Sequence, residues 1–146
     1  MKITYKGDYA LKTILDLAQH YGEEPITINE LAKRRDIPIK FLEQILLELK
    51  RGGFVDSRRG KVGGYFLTRE PTQIILGEVI RYIDGPLKPI ACVDESYAGC
   101  LEKDSCVFKG IWKQVTEATS QIVDNITFQD LLEKNKRTKS ALIYQI

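Results

Sequence analysis

The chain has little of the residue types on which many enzymes and metal sites depend. Its 146 residues include one histidine, His20, and three cysteines, Cys92, Cys100 and Cys106. The imidazole lies more than seventy residues from the thiols, so a catalytic cysteine would lack a base close in sequence and a zinc site would lack a fourth ligand. An odd number of cysteines also excludes complete disulfide pairing within the chain.

Long hydrophobic runs are also missing. No apolar stretch approaches the roughly 20 residues that span a bilayer. The N-terminal residues contain neither the apolar segment nor the small-residue cleavage site of a signal peptide. We therefore expect a cytoplasmic protein without a membrane partner. Disulfides are rare in that compartment, and clustered cysteines there more often bind metal or sense redox state.

The net charge of the chain is small, but the charged residues are unevenly distributed. Net charge is +2, yet residues 50–69 contain six basic residues and one acid, and residues 92–106 contain four acids and one lysine. This segregation predicts one surface for a polyanion and a separate acidic loop. With 43% hydrophobic and 29% charged residues, the composition is otherwise that of a single globular domain.

The first two predicted helices are marked by their ends. Apolar residues recur at helical spacing over 9–21, and Gly22 ends that run. Thr27 and Glu30 have the spacing of a capping box, in which each residue hydrogen-bonds the other's backbone. The short helix that they begin is predicted to end near Asp36.

A third helix completes a helix-turn-helix pattern over about 27–51. Pro38 suits its first position, and glycines at 52 and 53 end it. Its apolar stripe consists of Phe41, Leu42, Ile45, Leu46 and Leu49. The polar residues predicted to face the major groove of DNA are Lys40, Glu43 and Gln44. In such a motif, polar side chains on the second helix read base edges. Arg34, on the preceding helix, is a predicted phosphate contact.

A glycine-rich hairpin follows directly and is predicted to form a wing over about 54–68. The letters FVDSRRG and YFLT indicate two short strands around a KVGG turn. Phosphates attract such cations and backbone N–H groups. The wing residues predicted to contact phosphates or the minor groove are Ser57, Arg58, Arg59, Lys61, Gly63, Gly64 and Tyr65. The alternative is a solvated basic hairpin on a winged helix that binds other proteins.

The second half of the chain alternates helix and loop. A helix over ILGEVIRYIDG ends at Gly85, a loop over 86–106 holds the cysteines, and a long helix over 107–126 is followed by a short one that Thr127 caps. The last residues, 135–146, have no clear pattern. The predicted fold is mostly α with a small β wing: a winged helix-turn-helix domain over 1–85, the cysteine loop, helices over 107–134, and a tail.

The cysteine spacing, C-x7-C-x5-C, leaves several chemistries open. It is wider than the pairs of ordinary zinc sites and differs from the run of a bacterial ferredoxin. Three thiolates in a flexible loop can hold one face of an iron–sulfur cluster and leave it accessible. A thiol redox switch that uses two of the three, and a zinc site with an unidentified fourth ligand, are the alternatives. Buried structural cysteines are not expected in so polar a loop.

Taken together, these motifs resemble the Rrf-type family of winged-helix regulators over nearly the whole chain. The resemblance lies in the DYAL segment, in ITINELAKRRDIPIKFLEQILLELKRGGFVDSRRGKVGGYFL, in ILGEVIRYIDG, and in the cysteine loop before FKGIWKQV. It implies a homodimeric transcription regulator that binds a double-stranded DNA operator, with 107–126 as the dimerisation helix. Neither an enzymatic activity nor a small-molecule substrate is implied.

The three-cysteine set is similar to the cluster-binding, IscR-like branch of that family. The resemblance implies that Cys92, Cys100 and Cys106 ligate a [2Fe-2S] or [4Fe-4S] cluster. Where IscR-like members have a histidine three residues after the third cysteine, this chain has Lys109. Other members use an aspartate near the N-terminus of the partner subunit, and the matching residue here is Asp8. We therefore predict Asp8, in trans, as the fourth ligand; its alternative role is to stabilise the first helix.

The function predicted from these residues is that of a repressor whose operator affinity depends on the cluster. Loss of the cluster would alter the spacing of the two recognition helices, and dimers need half-sites at a fixed separation. A cluster-free thiol or zinc sensor is the nearest alternative. An electron-transfer enzyme is a distant one, because GKVGG lies between strands and does not open a helix as a phosphate loop would.

Overall fold

The computed structural model describes residues 1–144 and confirms a winged helix. It contains α1 Tyr5–Gln19, α2 Ile28–Arg35, α3 Ile39–Arg51, β1 Val55–Arg58, β2 Gly64–Leu67, α4 Leu76–Asp84, α5 Lys109–Val123 and α6 Phe128–Tyr144. Two short 3-10 helices, Pro71–Gln73 and Ala91–Val93, lie in the connections. Within 1–144, no helix has the length and hydropathy needed to cross a membrane.

Local capping sets the ends of the helix-turn-helix. The Thr27 hydroxyl accepts from the backbone N–H of Glu30, and the Glu30 carboxylate accepts from that of Thr27, which confirms the predicted capping box. Asp36 ends α2 with a left-handed backbone, at φ 52°. Pro38 is the residue before α3 rather than its first residue, so this helix begins one position later than predicted.

The core lies between α1, α3, the wing and α4, and it includes residues from the far end of the chain. The inner face of α3 is buried as predicted, with Leu42, Ile45, Leu46 and Leu49 fully enclosed. Phe128 and Leu132 of α6 are buried in the same core. Backbone hydrogen bonds from Leu76 to Ile126 and from Phe128 to Ile74 join the beginnings of α4 and α6. The winged domain is therefore completed by α6.

The wing is a two-stranded antiparallel sheet in which Val55 pairs with Leu67 and Arg58 with Gly64. The segment before α2 adds a third partner, because Ile26 exchanges two backbone hydrogen bonds with Tyr65, at 2.9 and 2.8 Å. A Cβ on Gly64 would lie 2.5 Å from the Ile26 carbonyl oxygen. Only glycine therefore permits this close pairing.

The C-terminal helices differ from the prediction. The short helix with a patternless tail is instead the 17-residue α6, which continues to Tyr144. Its first two turns are packed into the core, and no glycine or proline follows to stop it, so the exposed part of the helix propagates from the packed part. The remaining residues of the predicted tail, 145–146, lie outside the described residues.

The predicted long helix over 107–126 is the 15-residue α5. It begins two residues later and ends three residues earlier than predicted. None of its residues is buried, and apolar side chains of its stripe, such as Ile111 and Ile122, are more than half exposed. This apolar face has no partner within residues 1–144.

Candidate DNA interface and cysteine loop

The polar face of α3 is exposed and unobstructed. Lys40, Glu43 and Gln44 all lie on the solvent side of the helix, opposite the buried leucine and isoleucine side chains. Lys40 and Gln44 are one turn apart and Glu43 lies beside them, so the three form one surface. Within residues 1–144, Lys40 and Glu43 make no ion pair. Their hydrogen-bonding groups are thus available to a partner.

The wing contains cations with different surroundings. Arg59 and Lys61 are exposed at the tip and form no ion pair in the described part of the chain. Arg58 lies 3.9 Å from Glu24 and over the Phe66 ring. Such an exposed, distant pair contributes little, so the guanidinium can be shared with another anion.

Two other cations of the basic segment 50–69 have partners within the fold. Lys50 lies 3.3 Å from Asp56 and donates to the Ser57 hydroxyl at 2.8 Å. The backbone N–H of Ser57 and the Lys50 ammonium hold the pKa of Asp56 below its usual range. Arg69 pairs with Glu78 at 3.1 Å. Within residues 1–144, the cations of this segment without an ion pair are therefore Arg59 and Lys61 at the wing tip and the exposed Arg51 at the end of α3.

The wing glycines serve the hairpin itself. A Cβ on Gly63 would collide with the Arg58 carbonyl oxygen, and Gly64 faces Ile26 as described above. In the structure the close approach is between strands, and Tyr65 is the half-buried residue that pairs with Ile26.

Arg34, predicted to contact phosphate, is engaged within the protein. Its guanidinium lies 3.0 Å from the carboxylate of Asp16, which also accepts from Arg35 at 3.0 Å. Asp16 is 2% exposed, so the two arginines neutralise a buried charge between α1 and α2. Asp16 was not predicted from the sequence. An acid among the apolar residues of the α1 inner face could have indicated it.

The three thiols lie in the loop 86–106, between α4 and α5. All are free and partly buried. Cys92 lies in the short helix Ala91–Val93, which packs against α5. Cys106 lies three residues before the start of α5 and lines an open hollow of about 370 Å³ with other residues of the loop and of α5. The segments that contain the first and third cysteines thus both lie beside α5.

Internal hydrogen bonds order the acidic residues of this loop. The Asp94 carboxylate accepts from the hydroxyl and the backbone N–H of Ser96 and pairs with Lys88 at 3.1 Å. These contacts, the Ser96 hydroxyl first, lower the pKa of Asp94 to about 2. Lys103 donates to the Glu95 carbonyl oxygen at 2.6 Å. Polar contacts therefore order the part of the loop that contains the cysteines, while the side chain of Leu87, near its start, is buried.

The donor set of the loop fits a soft metal centre, but the ligands are not gathered. Thiolates are the preferred ligands of iron–sulfur clusters and of zinc. Within residues 1–144, however, no three cysteine, histidine, aspartate or glutamate side chains are grouped closely enough to hold a metal ion. Asp8 lies in the first turn of α1, is about half exposed and pairs with Lys12 at 2.6 Å. Its carboxylate is accessible but has a lysine as its partner.

Comparison with known proteins assigns the family. A family model described as an iron-dependent transcriptional regulator, Rrf2, matches residues 3–134. The chain belongs to the Rrf2 family. Its relatives include the HTH-type transcriptional regulator CymR of Bacillus subtilis, 31% identical over the full length of both chains. Another is IscR of Serratia proteamaculans, 33% identical over 90% of this chain and 79% of that protein.

Solved structures of both kinds of Rrf2 regulator have the same fold. The structure of B. subtilis CymR, described as a global cysteine regulator, matches with a TM-score of 0.79 over 92% of this chain and 98% of that chain. The structure of T. potens IscR matches with a TM-score of 0.77 at 33% identity, over 94% and 90%. The family members are transcriptional regulators and not enzymes. IscR-like and CymR-like relatives are about equally similar to this chain.

Proposed function

We propose that this Rrf2 protein is a homodimeric, DNA-binding repressor whose operator affinity is controlled by an iron–sulfur cluster in the loop 86–106. The observation that carries the proposal is the position of the thiols. All three lie in the loop between α4 and α5, the longer of the two connections that join α5 to the winged domain. A ligand that gathered them would reshape that connection.

On the DNA side, we assign base reading to α3 and phosphate contacts to the wing. Lys40, Glu43 and Gln44 form an exposed polar face without ion pairs in the described chain. Arg59 and Lys61 place unpaired charge at the wing tip, where backbone phosphates attract it. Arg34 is a weaker candidate, because its contact with Asp16 would have to be shared.

We assign the dimer interface, where a second copy of the chain would bind, to the apolar face of α5. Ile111, Val115 and Ile122 are exposed at helical spacing, and no element of residues 1–144 covers them. A helix with such a face is stable in water when another apolar surface covers it. A dimer through α5 would place the two cysteine loops beside the shared interface and fix the distance between the two α3 helices.

Cys92, Cys100 and Cys106 would hold the cluster, with Asp8 of the other subunit as the fourth ligand. When bound, the cluster supplies a connection between thiolates that depends on oxygen and redox state. The partly exposed thiols need little movement of a core to approach one another, because polar contacts order the part of the loop that contains them. Asp8 would exchange its contact with Lys12 for the metal.

A cluster-free regulator is the second candidate, and the similarity to CymR favours it. That relative matches this chain from end to end, and its structure matches as closely as that of IscR. In this case two of the three thiols would form a redox-sensitive pair, or the three would bind zinc. DNA binding and dimerisation would be unchanged.

The deciding experiment is anaerobic purification followed by measurement of iron, acid-labile sulfide and visible absorbance. We expect near-stoichiometric iron and sulfide and a brown, oxygen-bleached protein whose DNA affinity changes on bleaching. Cys100→Ser should lose both iron and sulfide, whereas Ser105→Ala, in the same loop, should retain them. A colourless wild-type protein after attempted cluster reconstitution would replace this proposal with the cluster-free candidate.

The fourth ligand has its own test. Asp8→Ala should alter the absorbance spectrum and the oxygen sensitivity of the cluster, because a ligand is removed. Asp104→Ala, an acid of the loop itself, is the matched control and should leave both unchanged. An Asp8→Ala protein with wild-type iron content and spectrum would limit Asp8 to its role in the first turn of α1.

A further inference from the structure

The first turn of α1 is bound to the residue that precedes the cysteine loop. Asp84 is the last residue of α4, and its carboxylate accepts from both the backbone N–H and the hydroxyl of Thr4. Gly7 lies directly against it, since a Cβ there would collide with the Asp84 carboxylate. The amino group of Met1 donates to the Lys88 carbonyl oxygen inside the loop, at 3.1 Å. The start of α1 is therefore held against the end of α4 and the start of the loop.

The same turn of α1 is bound to the recognition helix. Lys6 pairs with Glu48 of α3 at 3.0 Å, and both side chains are about one-third exposed. Tyr82, two residues before Asp84, donates its hydroxyl to the Glu48 carbonyl oxygen at 2.8 Å. Its ring lies 5.4 Å from that of Phe54, at the end of α3. Polar contacts from both α1 and α4 thus meet at Glu48.

Because Glu48 lies near the end of α3, a small tilt of the helix at Glu48 would displace the DNA-reading residues near its beginning. Lys40 lies eight residues nearer the beginning of the helix, which is about 12 Å at 1.5 Å per residue. A tilt of about 10° around Glu48 would move Lys40 by roughly 2 Å. A displacement of that size breaks a hydrogen bond to a base edge.

Apolar packing alone sets an angle between helices only to within about 15–20°. The buried face of α3 consists of aliphatic side chains, whose contacts are non-directional. The hydrogen bonds and the ion pair at Glu48 and Asp84 have directions, so they select one orientation of α3 relative to α1 and α4.

We propose that Asp84, Lys6 and Glu48 are positioning residues that transmit the state of the cysteine loop to α3. The proposal rests on the proposed function, in which the loop changes state. When the loop rearranges, Asp84 and the Thr4 turn shift together, and the contact between Lys6 and Glu48 passes the shift to the recognition helix. None of the three residues touches the thiols or is assigned to DNA.

The test compares the DNA affinities of the cluster-loaded and cluster-free forms in three variants. Glu48→Gln removes the ion pair with Lys6. Asp84→Ala removes both acceptors of Thr4, while the Thr4 hydroxyl still accepts from Gly7 and caps α1. Glu78→Gln is the matched control, because it breaks an ion pair of similar exposure, with Arg69, that leads away from the loop.

The expected result concerns the ratio of the two affinities. In wild type and in Glu78→Gln we expect a ratio in the range typical of coupled sites, about 5- to 150-fold. In Glu48→Gln and Asp84→Ala it should fall clearly below the wild-type ratio, with iron, sulfide and spectrum unchanged; some coupling should be kept, because the Tyr82 hydroxyl still donates to the carbonyl oxygen of residue 48. Removing an acid can raise DNA affinity in general, but it does so in both forms and leaves the ratio unaffected. Should Asp84→Ala fail to fold, the partly exposed Glu48→Gln still decides.

The proposal would be overturned if Glu48→Gln or Asp84→Ala had the same affinity ratio as the wild-type protein. It would also be overturned if the wild-type protein, with a full cluster, had a ratio near one. If the wild-type protein binds no cluster, the proposed function fails separately, and the loop is then perturbed by alkylating its thiols with iodoacetamide. Alkylation should change the DNA affinity of wild type and Glu78→Gln, and it should change that of Glu48→Gln and Asp84→Ala much less. An equal effect in all four proteins, or none in wild type, would likewise overturn the proposal.

Discussion

The winged domain and the segment from the cysteine loop through α5 differ in how much of their apolar surface is buried by contacts within one chain. In the winged domain, α1 and α3 bury their inner faces and the capping box satisfies the first turn of α2. In α5 no residue is buried, and the loop before it has surface hydrogen bonds and one buried apolar side chain, that of Leu87. The first region is determined by contacts within the chain. The second has far fewer such contacts within residues 1–144.

The largest expected effect is on the free energy of unfolding, when an isoleucine is replaced by alanine in each of the two regions. Ile14 of α1 is fully buried, and Ile122 of α5 is 63% exposed. Ile14→Ala should lower the free energy of unfolding by about 2–5 kcal/mol, because it leaves a cavity. Ile122→Ala should change it by less than about 0.5 kcal/mol. Urea unfolding at a concentration where sedimentation shows monomers would measure both, and equal losses would remove the distinction between the regions.

A pair of glycines sharpens the comparison. Gly64→Ala would place a Cβ against the backbone of Ile26 and should destabilise the wing by about 1–3 kcal/mol. Gly110, in the first turn of α5, has open space around it, so Gly110→Ala should stabilise the chain by about 0.5–1 kcal/mol. Denaturant midpoints of the two variants should move in opposite directions. A stabilising Gly64→Ala would contradict the described pairing with Ile26.

The wing cations are distinguished from other surface lysines by salt dependence. Replacing Arg59 and Lys61 together by alanine should reduce the slope of log affinity against log salt by about 2, one for each phosphate that is no longer neutralised. Fluorescence anisotropy with a labelled duplex, between about 50 and 200 mM salt, measures that slope. Lys134 and Lys136 of α6 are the control pair, and their double alanine variant should keep the wild-type slope. A reduction in the control alone would move the DNA surface away from the wing.

The smallest effect concerns the polar contacts of the loop. The folded pKa of Asp94 is lowered to about 2 from an ordinary value of 3.8, so its carboxylate stabilises the local fold above about pH 4. That contribution is lost as the pH falls from about 4 to 2. The Ser96 amide resonance should therefore shift with a midpoint near pH 2, and Asp94→Asn should abolish the shift. A wild-type midpoint near 4 would show that Asp94 lacks its partners in solution.

The sequence predicted those features that depend on neighbouring residues. The capping box at Thr27 and Glu30, the leucine stripe of α3 and the hairpin glycines each contain their signal within a few positions, and the structure has all of them. The continuation of α6 to Tyr144 was missed because its exposed half has no apolar period. That part of the helix follows from packing of its first turns, which only the fold reveals.

The residues of the candidate site could be predicted from the sequence, but their contacts with residues distant in sequence could not. The polar residues of α3 and the wing could be found because exposed positions follow from the helical and hairpin patterns. The ion pair between Asp16 and Arg34, and the contact between Thr4 and Asp84, join residues far apart in sequence. Nothing in either local segment specifies the partner. The ligation of the thiols and the role of Asp8 stay predictions.

The burial of Phe128 and Leu132 in the winged core has a consequence for biosynthesis. The DNA-reading domain cannot complete its core when Gly85 has been added to the chain, because roughly 50 further residues must be added before Leu132 is made. At about 5–20 residues per second, this delay is about 3–10 s. During it, all three cysteines are synthesised. A nascent chain therefore presents its thiols before it has a finished surface for DNA.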